Sequence, residues 1–191
     1  MRRPLIAGNW KMYKTIDESI AFIKKLNEQS LPKEVDPVIC APYPALSALV
    51  AEASDSIQIG AQNVHWEKEG AYTGEVSVPM LKASGVTYVI IGHSERRTLF
   101  GETDEQVNKK VHAALAGELI PIICVGEQLS EREAGKTKDV VGTQVTAALK
   151  GVSASNAAKV VFAYEPVWAI GSGQAATAQD AEEVCAYIRQ L

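Results

Sequence analysis

The sequence predicts an α/β fold built on a parallel sheet, and three observations support this prediction. Short apolar runs recur six times along the 191 residues, each followed by a polar loop and an amphipathic helix. Most of the runs are continuously apolar rather than alternating, which is typical of strands buried on both faces of a parallel sheet. Capping boxes mark helix starts independently of these runs. Alternating strands and helices indicate an open doubly wound sheet or a closed barrel.

The predicted elements follow one another along the whole chain. The six strands are Pro4–Ala7, Pro37–Cys40, Ile57–Gly60, Thr87–Ile91, Leu119–Cys124 and Lys159–Tyr164. Helix starts are predicted from the capping boxes Thr15/Glu18, Thr103/Gln106, Ser130/Glu133 and Thr177/Asp180, and from Pro44 and Ser77. Left-handed C-caps that end helices are predicted at Gly117 and Gly151. The last helix has no such signal, and its apolar face continues through Val184, Ile188 and Leu191.

The length favours a barrel with units missing. Six units in 191 residues are about 32 residues each, and eight would need about 255, close to the usual barrel length of about 250. We therefore expect residues 1–191 to form a single domain, an incomplete barrel of six βα units. The hydrophobic content of 47% and charged content of 22% are those of a globular chain with a core.

Composition also excludes several classes of partner and location. The chain has no run of eighteen apolar residues, and the apolar stretch near its start is interrupted at Asn9 and Lys11, too early for a signal peptide. We therefore expect a cytoplasmic protein. The net charge of -4 argues against nucleic acid and anionic membranes as partners. Three widely spaced cysteines fit neither a disulfide framework nor a zinc site.

Polar residues cluster just after the carboxyl ends of the predicted strands, which favours the barrel further. In a barrel these ends form one face, where active sites are built. The cluster comprises Asn9, Lys11, Gln62, Asn63, His65, His93, Ser94, Glu95, Arg96, Arg97, Glu127, Arg132 and Glu165. One ring of loops would bring together Lys11, His93 and Glu165.

Each of these three residues has both a functional and a structural interpretation. Lys11 is either an anion-binding group or a solvated charge. His93 opens a helix-starting segment, where the helix dipole favours neutral imidazole, but it could also be a histidine buried under a loop. Glu165 precedes Pro166, which favours extended backbone, so its carboxylate is either a structural ion-pair partner or a base.

Other residues are expected to support the site. Glu95, Arg96, Arg97, Glu127 and Arg132 are predicted to form an ion-pair network under the loops. Cys124 ends an apolar strand and is predicted to be a buried packing thiol. The segment 166–173 joins a stiff Pro-Val-Trp start to paired glycines, which is typical of a hinged lid, although an ordinary surface loop remains the alternative.

Three other chemistries are rejected on spacing. Residues 171–176 fit the pattern G-x-G-x-x-A, but six residues separate them from the strand and no acidic residue follows at the required distance. The segment 92–96 lacks the second glycine of a serine-hydrolase elbow. The three histidines do not have metal-ligand spacing.

With these residues identified, three motifs in order resemble the triosephosphate isomerase family. They are Ala7-Gly8-Asn9-Trp10-Lys11-Met12, Ile91-Gly92-His93-Ser94-Glu95-Arg96-Arg97 and Ala163-Tyr164-Glu165-Pro166-Val167-Trp168-Ala169-Ile170-Gly171. The resemblance runs from the first predicted strand to the last residue. It implies a TIM (β/α)8 barrel, here with six of its βα units, and a glycolytic and gluconeogenic isomerase that acts on dihydroxyacetone phosphate without metal or organic cofactor.

The resemblance also implies residue roles. Glu165 would move the proton, and His93 would polarise the carbonyl as neutral imidazole. Lys11 and Asn9 would stabilise the enediolate oxygen, and Lys11 would also offset the phosphate charge. The lid would bind phosphate through Gly171 and Ser172. Supporting roles fall to Ser94, Cys124 and Glu95, with Glu95 orienting Lys11 or the proton path.

Three further features of the family bear on activity and assembly. The segment 62–77 resembles the family's interlocking dimer loop, which implies a homodimer. Ser172, Gln174 and Ala175 replace the more frequent Thr, Lys and Thr of the lid's second hinge, which affects closure more than chemistry. The family's seventh and eighth strands, whose loops supply most of the phosphate contacts, have no counterpart here.

Two hypotheses follow for the function of this chain. The first is an isomerase with intact catalytic residues and reduced turnover, because phosphate binding energy supports closure. The second is a non-catalytic partial-barrel folding or assembly unit that self-associates through open sheet edges at the first and sixth strands.

Overall fold

The computed structural model describes residues 3–191 and contains the six predicted strands. They are β1 Leu5–Asn9, β2 Asp36–Ala41, β3 Gln58–Ala61, β4 Tyr88–Ile91, β5 Ile120–Val125 and β6 Val161–Tyr164. Hydrogen-bonded neighbours follow chain order, β1-β2-β3-β4-β5-β6. Parallel pairing joins β1 to β2, β2 to β3, β3 to β4 and β5 to β6. The prediction of an α/β fold of six consecutive βα units is confirmed.

Helices connect the strands, as parallel pairing requires. They are α1 Ile16–Asn27, α2 Leu46–Glu52, α3 Val78–Ala83, α4 Ser94–Phe100, α5 Asp104–Ala116, α6 Leu129–Glu133, α7 Thr137–Leu149, α8 Ala154–Ala157 and α9 Ala178–Gln190. Short 3-10 helices cover Tyr43–Ala45 and Val167–Ala169. Within residues 3–191, no helix is both long and apolar enough to cross a membrane.

Three of the four predicted capping boxes are confirmed, and one is displaced. The side chains of Thr15, Thr103 and Thr177 each accept a hydrogen bond from the backbone N–H three residues later. In return, the side-chain oxygen of the residue at that position accepts a hydrogen bond from the backbone N–H of the threonine. The box predicted at Ser130 is wrong, because Gln128 caps α6 together with Glu131. Glu127, directly before Gln128, is fully buried, so the chain turns two residues earlier than the Ser130 pattern suggests.

The two predicted glycine C-caps have different outcomes. Gly151, just after α7, adopts a φ of 77° and confirms the prediction. The prediction at Gly117 is wrong, because the left-handed residue after α5 is Glu118, with φ 58°. A Cβ on Gly117 would lie 2.2 Å from Cγ1 of Val78, so the glycine provides space for α3 rather than a backbone turn.

Backbone contacts divide the chain into two compact units. The first comprises the residues up to Ile90 together with Ala113–Pro121. Its core contains Val38 and Val89 from the strands and Leu49 from α2, all fully buried. The central part of β1 is exposed, and Ile6 keeps 64% of its surface accessible.

The second unit comprises Ile91–His112 and Ile122–Leu191. Its core contains Ile123 of β5, Val107 of α5 and Val141 of α7, all fully buried. On α9, Val184 is buried while Leu191 is 56% exposed, so the predicted apolar face is covered only in part.

Candidate active site

His93 lies at the junction of β4 and α4, where it is the N-cap residue of the helix. Its Nδ1 accepts the backbone N–H of Glu95 at 3.1 Å. The Glu95 carboxylate is 3.7 Å from the same nitrogen, too far to be its hydrogen-bond partner. Because Nδ1 accepts, the proton of the neutral ring lies on Nε2. Nε2 is 2.8 Å from Oε1 of Glu165 and donates to it.

Glu165 directly follows β6, and its backbone N–H donates to the carbonyl of Val125 at 2.8 Å. Its Oε2 accepts the backbone N–H of Ser94 at 3.0 Å. Burial raises the pKa of the Glu165 carboxyl, but the hydrogen bonds from His93 and Ser94 outweigh burial and hold the pKa below its usual value. The group is therefore a carboxylate held between a histidine and a helix start.

A buried charge cluster fixes the turn that carries His93. Glu102 accepts the N–H of Gly92 at 3.0 Å and the guanidinium of Arg96 at 3.2 Å. It also pairs with the buried ammonium of Lys110. Buried carboxylates are stable only when paired and hydrogen-bonded, so this cluster ties the turn before His93 to α5.

Both arginines of the predicted network near His93 form ion pairs, but with Glu102 and Asp104, which were not predicted to belong to it. Arg96 pairs with Glu102, and Arg97 pairs with Asp104 at 2.5 Å. Arg97 also donates to the carbonyl oxygens of Gly92 at 2.8 Å and of Cys124 at 3.5 Å. The guanidinium of Arg97 therefore links the end of β5 to the start of the His93 segment.

Glu127 is the most heavily bonded carboxylate near the site. It is fully buried and accepts hydrogen bonds from the Tyr164 hydroxyl and the Trp168 indole at 3.0 Å each, and from Arg132 at 3.3 Å. Burial raises the pKa of Tyr164, and the negative charge of Glu127 adds to the rise. Arg132 also forms an ion pair with Asp180 on α9. The end of β5 is thereby joined to the first residues of the segment after Glu165.

The segment 166–173, predicted to be a hinged lid or an ordinary surface loop, contains two left-handed glycines. Gly171 and Gly173 both adopt left-handed backbone, with φ of 68° and 79°. The Ser172 hydroxyl donates to the carbonyl of Trp168 at 2.7 Å and accepts the N–H of Gln174 at 3.2 Å. Ile170 is 39% exposed. The loop is closed on itself by Ser172 and leaves an apolar side chain in solvent.

Cys124 is buried at the end of β5, as predicted. It lines a cavity of about 280 Å³ together with Ser94, Gly126, Gln144 and Glu165. The space next to Glu165 is thus partly open.

In the first unit, Asn9 is the last residue of β1 and Lys11 follows it by two residues. Lys11 adopts a left-handed backbone with φ 52°, and its N–H donates to Oδ1 of Asn9 at 3.0 Å. The Gln62 amide donates to the carbonyl oxygens of Lys11 at 2.9 Å and of Cys40 at 3.0 Å. Strained backbone at a non-glycine residue is typical of functional sites.

The structure thus groups the predicted site residues within two units. Asn9 and Lys11 lie in the first, and His93, Ser94, Glu95, Cys124, Glu165, Gly171 and Ser172 lie in the second. No sequence pattern indicates a role for Gln62, Glu102 or Gln144, although Gln62 follows a strand end. No part of the chain that the structure describes holds a cluster of three or more His, Cys, Asp or Glu residues suited to a metal ion.

Comparison with known proteins identifies the family. The family model for triosephosphate isomerase matches residues 4–191. The chain belongs to the triosephosphate isomerase family. A triosephosphate isomerase of Alkaliphilus metalliredigens is 54% identical over the whole chain, which covers 77% of that relative. Those of Moorella thermoacetica and Carboxydothermus hydrogenoformans are each 56% identical, again over the whole chain and 77% of the relative. The chain therefore matches about three-quarters of the length of these triosephosphate isomerases.

Proposed function

We propose that the chain interconverts dihydroxyacetone phosphate and glyceraldehyde 3-phosphate by proton transfer through an enediolate. The observation that carries this proposal is the 2.8 Å contact between His93 Nε2 and Glu165 Oε1, with Nδ1 occupied by a backbone N–H. A carboxylate beside a neutral imidazole supplies a base and a hydrogen-bond donor for a carbonyl oxygen. The names of the relatives support the substrate class.

Glu165 acts as the base in this proposal. Its carboxylate takes a proton from the hydroxyl-bearing carbon next to the carbonyl, and a proton is returned to the former carbonyl carbon. The proton of that hydroxyl group passes to the former carbonyl oxygen, which completes the isomerisation. Both carboxylate oxygens are engaged, by His93 and Ser94, so substrate has to replace these contacts before transfer. His93 Nε2–H then donates to the substrate oxygen, where negative charge develops.

The remaining roles follow from the family. Lys11 and Asn9 stabilise the enediolate oxygen, with Lys11 also offsetting phosphate charge. Gly171 and Ser172 contribute to phosphate binding. Ser94 supports the base through its backbone N–H, Glu95 orients Lys11 or the proton path, and Cys124 is a supporting residue. The reaction uses no cofactor, and we expect it in the cytoplasm.

We further propose that this chain turns over more slowly than its longer relatives. Binding energy from a remote phosphate is used to close a lid and organise the reacting groups, so fewer phosphate contacts lower kcat as well as affinity. An isomerase assay coupled to oxidation of a nicotinamide cofactor, run on the 191-residue chain, measures this directly. Turnover equal to that of the relatives would contradict the proposed impairment.

Replacing Glu165 by glutamine tests the catalytic proposal. The amide keeps the shape of the side chain but cannot accept the proton, so we expect kcat to fall by about 10³-fold. Glu182→Gln makes the same chemical change at an exposed position of α9 and should leave kcat unchanged. Equal turnover of Glu165→Gln and wild type, or no isomerisation by wild type, would refute the proposed activity.

Homodimer formation through the segment 62–77 is a second part of the proposal. In this segment His65 stacks on Trp66 and Tyr72, with ring centroids 4.3 Å apart in each pair. Tyr72 is 44% exposed. An ordered aromatic cluster that remains partly in solvent is suited to contact with a second copy.

An assembly unit without catalysis is the alternative function, and the exposed centre of β1 favours it. Ile6 is 64% exposed on a strand at the end of the strand order. Such an edge pairs readily with other chains. A monomer by light scattering, with slow hydrogen exchange in β1 and β6, would exclude this function.

A further inference from the structure

Gly126 makes an unusually close approach to the backbone of Glu165. It follows β5, whose last residue, Val125, is opposite Tyr164 in the parallel register. A Cβ built on Gly126 would lie 1.7 Å from the carbonyl oxygen of Glu165 and 2.8 Å from its carbonyl carbon. Non-bonded atoms do not approach to such distances, so any side chain at position 126 would push the Glu165 backbone away from β5.

Gln144 holds Gly126 by both of its backbone polar groups. The Oε1 of Gln144 accepts the Gly126 N–H at 2.8 Å, and its Nε2 donates to the Gly126 carbonyl oxygen at 3.2 Å. A primary amide is suited to this pair of contacts because it carries an acceptor and a donor side by side. Gln144 lies on α7 next to Val145, which is 2% exposed and anchors the helix in the core.

Side chains do not fill all the space between Glu165 and α7. Gly126, Gln144 and Glu165 all line the cavity of about 280 Å³. Because that space is not filled by side chains, the contact between Gly126 and the Glu165 backbone limits how far the segment carrying the base can shift. The Gln144 amide keeps Gly126 in the position that makes this contact.

We propose that Gln144 is a positioning residue for Glu165, acting through the backbone of Gly126. Locking Gly126 in place seats the Glu165 carbonyl against the end of β5 and so sets where its carboxylate lies relative to His93 and Ser94. The inference rests on the proposed role of Glu165 as the base. It assigns a function in the active site to a helix residue that hydrogen-bonds to Gly126 and lies outside the three family motifs.

Two uncharged variants, Gln144→Met and Gln144→Ala, test the proposal in the full chain. Displacement of a reacting group by about 1 Å can cost about 100-fold in rate, so we expect kcat to fall between about 10-fold and 100-fold. KM should change by no more than about twofold, because substrate-binding groups are untouched. Thr146→Ala, at an exposed position of the same helix, is the matched control and should behave as wild type.

A second measurement is independent of turnover. Titration of the Glu165 carboxyl by carbon-13 NMR should give a lowered pKa in wild type and in Thr146→Ala. The pKa should rise toward the ordinary value in both Gln144 variants, since a displaced carboxylate loses the hydrogen bonds from His93 and Ser94. If the wild-type chain does not isomerise substrate, the proposed function fails and this titration alone decides the proposal. A wild-type Glu165 pKa in both Gln144 variants would overturn it, whatever their turnover.

Discussion

The hydrogen bonds around His93 and Glu165 determine the chemical state of both residues. A backbone N–H occupies His93 Nδ1, which leaves Nε2–H facing the carboxylate of Glu165. A backbone N–H from the same helix start occupies the other oxygen of Glu165. Because main-chain atoms make both contacts, the tautomer and the ionised carboxylate depend on the course of the backbone as well as on side-chain identity.

The lowered pKa of Glu165 predicts a pH dependence of stability. A carboxyl whose pKa is lower in the folded state stabilises the fold above its unfolded pKa, about 4.3, and this contribution is lost as the pH falls through the folded value. Glu165→Gln removes the titrating group. We therefore expect the free energy of unfolding to fall less for the variant than for wild type when the pH is lowered from about 7 to about 3.

Urea unfolding at a series of pH values measures this difference. The exposed Glu182→Gln variant serves as the control and should follow wild type. A Glu165→Gln protein that loses as much stability as wild type on acidification would show that folding does not perturb this carboxyl.

Residues proposed to react are more visible in the sequence than residues that hold them in position. His93 and Glu165 were predicted from their positions after strands, and the structure brings them together. Gln62 and Gln144 act by donating and accepting at backbone groups that are distant in sequence. A side-chain amide makes such contacts only where the fold places a peptide group within hydrogen-bond distance. Residue type and spacing do not predict which peptide groups will be that close.

At the scale of secondary-structure elements, packing alone explains why a glycine occupies position 117 at the end of α5. Gly117 donates its N–H to the carbonyl of Ala113 as a further helical residue would, and the chain reverses only at Glu118. The contact with Val78 explains the glycine. Sequence patterns locate the end of such a helix correctly but do not distinguish a backbone requirement from a packing requirement.

A double-mutant cycle on Gly117 and Val78 tests this explanation. Gly117→Ala alone should destabilise the protein by about 1–3 kcal/mol, since the added methyl overpacks against Val78. In a Val78→Ala background the same change should be neutral or stabilising, because alanine favours helical backbone over glycine by about 1 kcal/mol. Urea unfolding of the four proteins gives the coupling energy. Additive effects would show that Val78 is not the obstacle.

At the scale of the whole molecule, periodicity and length predicted the six βα units, and strand order confirms them. The exposure of β1 could be predicted only from the family, since its apolar run resembles those of the buried strands. The single domain over residues 1–191 stays a prediction, because backbone contacts group the chain into two units.

The exposed edge at β1 predicts self-association that depends on Ile6. A lysine there places a charge on the strand edge, a common way to prevent pairing with other chains. We expect Ile6→Lys to lower the apparent mass at high protein concentration, measured by light scattering, and Ile6→Val to leave it unchanged. Identical association of Ile6→Lys and wild type would place the contact between copies elsewhere.

The left-handed backbone at Lys11 has a consequence for directed evolution of this chain. Glycine would adopt a φ of 52° without the strain that a lysine side chain imposes. Screens that reward heat resistance or expression yield without scoring turnover would therefore favour glycine at position 11. A sequence library enriched in that glycine would indicate selection for stability at the expense of the role proposed for Lys11.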